Sequence, residues 1–200
     1  MKGYEGTISF ELDEQNSTNP TNLENRCIQR CSTCKEASNK VDNTDEDDKS
    51  AAMDQNDNEI SQTDDKQNTK VLEGEFMTIT GAVTSCISPK SPKGLSPSAH
   101  LGDGNLDLIV VERTSRVNYL SYLIRTNMPS PNFSPFQLPF VQIYRVKEFL
   151  FQPNRSIATQ KNASRKSHSV WNCDGELIIN PSIRAKVYCQ ILPVFARGIE

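Results

Sequence analysis

The sequence has no apolar run long enough to cross a membrane, since a spanning helix needs about 18 to 20 apolar residues. It also lacks an apolar segment near its start, so we expect no secretory signal. These absences favour the cell interior. There, the six cysteines are better read as thiols or metal ligands than as a disulfide framework.

The common nucleotide-binding motifs are missing as well. The chain contains no G-x-x-x-x-G-K-[ST], and no Gly-rich loop follows a strand and opens a helix. It holds two histidines and no Ser, His and Asp set with a recognisable spacing. The 200 residues therefore exclude the familiar phosphate cradles and hydrolase triads.

Aliphatic residues are scarce in residues 13–69, which are rich in polar side chains. Residues 41–66 hold ten Asp or Glu and two Lys, a local charge of −8, so the remainder carries −3 − (−8) = +5. Such a segment cannot bury enough apolar surface to order itself, and we predict a disordered acidic insertion. Residues 1–12 and 70–200 are predicted to form the folded domain. Its modest positive charge suits an anionic ligand or membrane surface, and we expect no nucleic-acid partner.

Three cysteines lie close together inside this insertion. Cys27, Cys31 and Cys34 form a C-x-x-x-C-x-x-C run. Three soft ligands at this spacing suit zinc, with a fourth ligand from elsewhere. Reduced thiols in a flexible loop are the alternative. An iron–sulfur cluster of the radical SAM type is disfavoured, because strands do not alternate with helices in this chain.

Apolar alternation and turn residues predict a mainly β domain. The predicted strands cover residues 3–12, 75–83 (with a bulge at Gly81), 106–111, 140–151 and 183–191, and a hairpin covers residues 170–179. Because helices do not join the strands, we predict an antiparallel β-sandwich with a helix on one face.

One helix is predicted after the third strand, capped by Thr114 or Ser115 and ending before Pro129. Its apolar residues recur at helical spacing and form a stripe that we expect to lie across the sheet. The apolar stripe consists of Val117, Leu120, Leu123 and Ile124.

Two acidic turns are the candidate sites. Gly102-Asp103-Gly104 leads into a strand, and we expect its carboxylate to point outward and His100 before it to be a surface or turn residue. Asp174-Gly175-Glu176 lies between two apolar runs, which is the strongest short-range signal for a β-hairpin. A carboxylate at either turn can hold Mg²⁺, accept a hydroxyl proton or bond a ribose, although both turns also suit a purely structural role.

The residues also carry a resemblance to a known family. Residues 96–108 resemble the S-P-x-A-x-x-x-D-G-x-x-D-L stretch of the diacylglycerol, sphingosine and ceramide kinase superfamily. Within it the chain most resembles the ceramide kinases. The similar segments are Gly3-Tyr4-Glu5-Gly6-Thr7, the cysteine run, V-x-x-Y-R-V-K at 141–147, W-N-C-D-G-E at 171–176 and F-A-R-G-I-E at 195–200.

This resemblance implies a phosphotransferase. Ceramide kinases transfer the γ-phosphate of ATP to the primary hydroxyl of ceramide, giving ceramide 1-phosphate. Their N-terminal catalytic domain carries a G-G-D-G phosphate loop and the general base, and a C-terminal β-sandwich closes the cleft and lines the lipid site. The chain is similar to the second domain only. We therefore expect Met1 to be an internal methionine or a gene-model start, and the chain to need an N-terminal kinase domain for activity.

The resemblance also assigns residues. It implies that Asp174, Gly175 and Glu176 contribute to the ATP site, with Glu176 orienting Mg²⁺ or the attacking hydroxyl. It implies that Asp103 binds Mg²⁺ together with carbonyl oxygens of neighbours such as His100 and Asn105. A cytoplasmic enzyme, peripheral on intracellular membranes or the plasma membrane, is expected.

Three alternatives stay open at this point. The chain could be a non-catalytic β module that binds lipid or membrane. It could be a metal-thiolate regulatory protein built around the cysteine run. It could belong to a kinase of another sphingoid lipid or of diacylglycerol.

Overall fold

The computed structural model describes residues 3–12, 69–89, 91, 94–127, 133–154, 170–189 and 191. Within these residues the fold is mainly antiparallel β with a single α-helix, which confirms the predicted class. The strands are β1 (Tyr4–Glu11), β2 (Thr69–Ala82), β3 (Leu106–Glu112), β4 (Val141–Val146), β5 (Glu148–Pro153), β6 (Trp171–Cys173), β7 (Glu176–Ile178) and β8 (Ile183–Lys186). The helix α1 spans Arg116–Asn127, and a 3-10 turn spans Pro135–Gln137.

Six strands form one sheet in the order β4-β3-β2-β1-β5-β8, and β6 and β7 pair separately. The first half of β2 pairs with β1 and its second half with β3, with a bulge between Phe76 and Thr78. Strands that bend in this way make the corners of folded-over sheets. The ring centroids of Phe10 in β1 and Tyr144 in β4 lie 4.7 Å apart, although β1 and β4 are not neighbours. The sheet therefore folds onto itself as a sandwich.

The space between the two halves of the folded sheet is filled by apolar side chains. Alternate residues of β3 point into it, as period-two alternation predicts. The buried residues of this core are Ile8, Phe10, Phe76, Leu106, Leu108, Val110, Val146, Phe149 and Phe151.

The other face of β3 and β4 packs against α1. Ser115 caps the helix, since its Oγ accepts the N–H of Asn118 at 3.2 Å, as predicted. The side chains that contact the sheet are two tyrosines. Tyr122 is buried, and the hydroxyl of Tyr119 lies 3.1 Å from Oγ1 of Thr78. These tyrosines join a second apolar cluster with Ile109, Val111 and Val141.

The predicted orientation of the helix was wrong. The apolar stripe does not lie on the sheet: Val117, Leu120, Leu123 and Ile124 are 76%, 56%, 40% and 44% exposed. Two tyrosines three residues apart face the sheet instead, and the hydroxyl of Tyr119 lies within hydrogen-bond distance of Thr78. The helix therefore turns its aromatic face inward and its aliphatic face outward.

Two strand predictions also need correction. Residues 140–151 are not one strand, because the chain turns at Lys147 between β4 and β5, which join different halves of the sheet. The bulge of β2 lies at Phe76/Thr78 rather than at Gly81. The insertion predicted over residues 13–69 lies outside the described residues, apart from Thr69 at the start of β2. Where the structure describes the chain, no helix is both long and apolar enough to span a membrane.

Candidate functional site

The Asp-Gly hairpin predicted near the end of the chain is present. Asp174 and Gly175 both have positive φ, 49° and 99°, which is the backbone of a two-residue type I′ turn. Asn172 stabilises this turn, because its Oδ1 accepts the N–H of Gly175 at 2.8 Å. Cys173 pairs with Glu176 across the hairpin. The sequence therefore specified this turn through local chemistry alone.

A single aromatic side chain anchors the hairpin to the sandwich. Trp171 packs against Phe149 and Phe151 of β5, with ring centroids 6.4 and 5.5 Å apart, and its Nε1–H donates to the carbonyl of Pro181 at 3.1 Å. The tip beyond it is open, since nothing lies within 4 Å of a Cβ placed at Gly175. The exposed carboxylates of Asp174 and Glu176 thus extend from a fixed base. They are available to a ligand.

The Gly102-Asp103-Gly104 turn has the predicted backbone but not the predicted exposure. Both glycines have positive φ, 94° and 74°. Asp103 does not point freely outward: it is half-buried, and its Oδ1 accepts the N–H of Asn105 at 2.8 Å. Burial raises the pKa of the Asp103 carboxyl, against the effects of the Asn105 hydrogen bond and the Arg145 charge. His100, expected to be a surface or turn residue, opens this turn, since its carbonyl accepts the N–H of Asp103 at 3.5 Å, but its side chain is buried rather than at the surface.

The oxygen atoms around Asp103 fit a hard cation. The side-chain Oδ1 of Asn105 is buried and has no hydrogen-bond partner among the described residues. A half-buried carboxylate beside an unpaired amide oxygen is a donor set that Mg²⁺ or Ca²⁺ accepts. No group of three His, Cys, Asp or Glu side chains in the described part of the chain could hold a metal. The assignment of Asp103, with oxygens of His100 and Asn105, therefore stays a prediction.

A buried ion pair lies directly beneath this turn, and sequence reasoning missed it. Asp107 and Arg145 are paired across β3 and β4, and their side chains are 1% and 4% exposed. Nε of Arg145 donates to Oδ1 of Asp107 at 2.9 Å. The sequence did contain a signal for this pair, because Asp107 and Arg145 are charged residues within otherwise mostly apolar strands.

This ion pair holds the loop that precedes the turn. We call residues 94–100 the S-P loop. Oγ of Ser96 donates to the Asp107 carboxylate, and a guanidinium nitrogen of Arg145 donates to the carbonyl of Ser98 at 2.7 Å. Ser96 and Ser98 are both fully buried. The conspicuous S-P-x-A motif is therefore a structural anchor that positions Asp103.

The two candidate turns have separate surroundings. The Asp103 turn contacts the segment after β8, where Sγ of Cys189 donates to the carbonyl of Gly102 at 3.0 Å. The hairpin tip at Gly175 has open space around it. Cys27, Cys31 and Cys34 lie outside the described residues, so zinc binding there stays a prediction.

The β-sandwich fold, with the S-P-x-A motif leading into the turn at Asp103, is the one expected of the C-terminal domain of a lipid kinase. Comparison with known proteins shows to which family of lipid kinases the chain is similar. The sequence model of the ceramide kinase C-terminal domain matches residues 24–200. The chain belongs to this family, which confirms the resemblance stated from its motifs.

Individual relatives agree with the family match. Ceramide kinases of Mus musculus and Homo sapiens are 34% and 35% identical to the chain over 98% of its length. Ceramide kinase 1 of Caenorhabditis elegans is 25% identical over 97%. The chain spans 38% of the length of the mouse and human relatives and 30% of the nematode protein. It corresponds to a C-terminal part of a ceramide-kinase-related protein.

Proposed function

We propose that the chain is the C-terminal part of the catalytic region of an ATP-dependent ceramide kinase. The proposal rests on the alignment of ceramide kinases with 98% of this chain. The hairpin at residues 174–176, which is anchored at its base and open at its tip, also supports it. The reaction would transfer the γ-phosphate of ATP to the primary hydroxyl of ceramide. Phosphoryl transfer depends on positioning and on neutralising charge rather than on covalent chemistry by the protein.

In this proposal the hairpin contributes to the nucleotide site. The type I′ turn presents the backbone of Gly175 and the carboxylates of Asp174 and Glu176 to solvent. Glu176 would orient the attacking hydroxyl or the ion that accompanies ATP. Mg²⁺, when bound, neutralises charge on the transferring phosphate. Trp171 keeps the hairpin in place through its contacts with β5.

We propose further that the 200 residues do not phosphorylate ceramide alone. They contain no Gly-Gly-Asp-Gly segment, and the proposed partner is an N-terminal kinase domain that supplies this phosphate loop. The proposed location is the cytoplasmic face of intracellular membranes or of the plasma membrane, where the lipid substrate is reached.

A chimera tests the proposal. The part of mouse ceramide kinase that aligns with this chain is replaced by residues 1–200, and phosphate transfer from labelled ATP to ceramide is measured. We expect transfer by the chimera and none by the isolated chain. Glu176→Gln should lower kcat by at least about tenfold, a small share of what a positioned acid–base group contributes. Glu73→Gln, at an exposed glutamate on β2, is the matched control.

A chimera that unfolds cooperatively on heating and binds ATP, but transfers no phosphate to ceramide, would overturn the proposal. Equal effects of Glu176→Gln and Glu73→Gln would remove the role given to Glu176. Turnover of ceramide by the isolated chain at enzymatic rates would contradict the need for a second domain.

A further inference from the structure

The outward face of α1 is apolar. Leu120 and Val117 are more than half exposed, and Leu123 and Ile124 are 40% and 44% exposed. The opposite face of the helix is the one that packs, through Tyr122 against the sheet. A surface helix normally turns polar side chains to solvent, and a contiguous exposed apolar patch marks an interaction site.

The helix that carries this stripe is positively charged. It contains two arginines, Arg116 and Arg125, and no Asp or Glu. Arg116 is exposed and lies one helical turn before Leu120, so the two side chains share a face. Arg125 lies in the last turn of the helix. Arg113, which precedes the helix, pairs with Glu75, and Arg125 donates to the carbonyl of Ser134 and stacks over the ring of Phe133. The exposed charge beside the stripe is therefore that of Arg116.

We propose that the apolar stripe of α1 docks on an anionic lipid surface. An amphipathic helix that lies in the plane of a membrane inserts its apolar side chains and places flanking arginines at the headgroups. The stripe and Arg116 match this arrangement. The inference deepens the proposed function, because it assigns the face by which an enzyme acting on a membrane lipid would approach its substrate.

The charge of the stripe's surroundings favours a membrane over the other possible occupants. A second copy that docked through the same stripe would bring together two helices that each carry arginines and no acidic residue. A preceding kinase domain is proposed to meet the hairpin, which is anchored by Trp171 to the inner core of the sandwich. In contrast, α1 packs on the outer face of β3 and β4. We therefore assign the stripe to an anionic membrane surface.

Vesicle co-sedimentation of the 200-residue chain tests the proposal. The vesicles consist of phosphatidylcholine with or without phosphatidylserine, and they contain no ceramide. We expect binding that requires phosphatidylserine and weakens with salt. Leu120→Gln should lower the partition coefficient about tenfold, which corresponds to half-inserting one leucine. Arg116→Gln should lower it about fivefold on the anionic vesicles.

Leu177→Gln is the matched control, because Leu177 is 65% exposed and lies on β7, away from α1. It should bind as the unsubstituted chain does. Val117→Gln is a second test of the stripe, used in case Leu120→Gln alters folding; circular dichroism checks both.

No binding to the anionic vesicles would overturn the proposal. So would binding that is equal without phosphatidylserine, or equal losses from Leu120→Gln and Leu177→Gln. Self-association that Leu120→Gln abolishes, without vesicle binding, would show that a second copy covers the stripe. Because the vesicles lack ceramide and no turnover is measured, a negative result leaves the chimera assay unaffected. An inactive chimera likewise leaves this result standing.

Discussion

Replacing Arg145 with methionine removes one partner of the ion pair that holds the S-P loop on the sheet. The substitution keeps a long apolar stem but removes the guanidinium from the buried Asp107 carboxylate, which still accepts the hydrogen bond from Ser96. It also removes the bond from the guanidinium to the carbonyl of Ser98. We expect the S-P loop to loosen and the domain to lose stability.

The size of the loss follows from burial. Breaking a buried ion pair by removing one partner costs about 3 to 5 kcal/mol, because the remaining charge is uncompensated. The matched control is Arg184→Met. Arg184 pairs with Glu148 through the same nitrogen at 2.7 Å, but these side chains are 69% and 31% exposed. An exposed pair contributes about 0 to 1 kcal/mol.

Urea unfolding followed by Trp171 fluorescence measures both variants. With a slope of about 2 kcal/mol per molar urea, a loss of about 4 kcal/mol moves the midpoint down by about 2 M. Arg184→Met should move it by less than about 0.5 M. The double variant Asp107→Asn/Arg145→Met should lose less than the sum of the two single variants, because the partners are in contact.

Similar losses for Arg145→Met and Arg184→Met would refute the assignment of Arg145 as the anchor. Additive losses in the double variant would show that Asp107 and Arg145 do not interact energetically. Either outcome would also remove the structural reason given for the S-P-x-A motif.

Three further predictions concern the turns and the rim of the sheet. Gly94→Ala should lower the urea midpoint strongly, because the φ there is 74° and a Cβ would lie 1.9 Å from a backbone oxygen. Gly175→Ala, with open space, should cost only the left-handed backbone strain of about 1 to 2 kcal/mol, and equal losses would contradict the packing at Gly94. Mg²⁺ should raise the Tm of the chain more than that of Asp103→Asn, and equal shifts would argue against Asp103 as a ligand. The Arg113 hydrogen bond lowers the pKa of Glu75, so Arg113→Gln should raise that pKa in an NMR titration; an unchanged value would show that the pair does not form in solution.

The parts of the fold that local chemistry decides were predictable. The continuous apolar run of residues 106–111 indicated a buried strand, and Asp174-Gly175 specified the hairpin. Ser115 was recognisable as a helix cap. Each of these features depends on neighbours within a few residues.

The wrong predictions concern choices between distant partners. α1 has an aliphatic face and an aromatic face, and its periodicity alone does not decide which one packs. The structure selects Tyr119 and Tyr122 because Thr78 and the outer face of β3 receive them. The pairing of Asp107 with Arg145 likewise depends on the register of two strands 38 residues apart, which neither strand specifies by itself.

The candidate site was predictable in part. The motif identified the turn at Asp103, but its half-burial depends on the S-P loop and on Cys189, which lies far along the chain. The hairpin followed from its sequence, whereas its anchoring by Trp171 on Phe149 and Phe151 is a tertiary contact.

Substrate choice by the chimera tests the central claim most directly. The chimera of mouse ceramide kinase that carries residues 1–200 is given ATP with ceramide, sphingosine or diacylglycerol, and the initial rate of phosphate transfer is measured for each lipid. The account predicts transfer to ceramide in clear preference to the other two. Preference for sphingosine or diacylglycerol, or transfer to none of the three by a folded chimera that binds ATP, would contradict it.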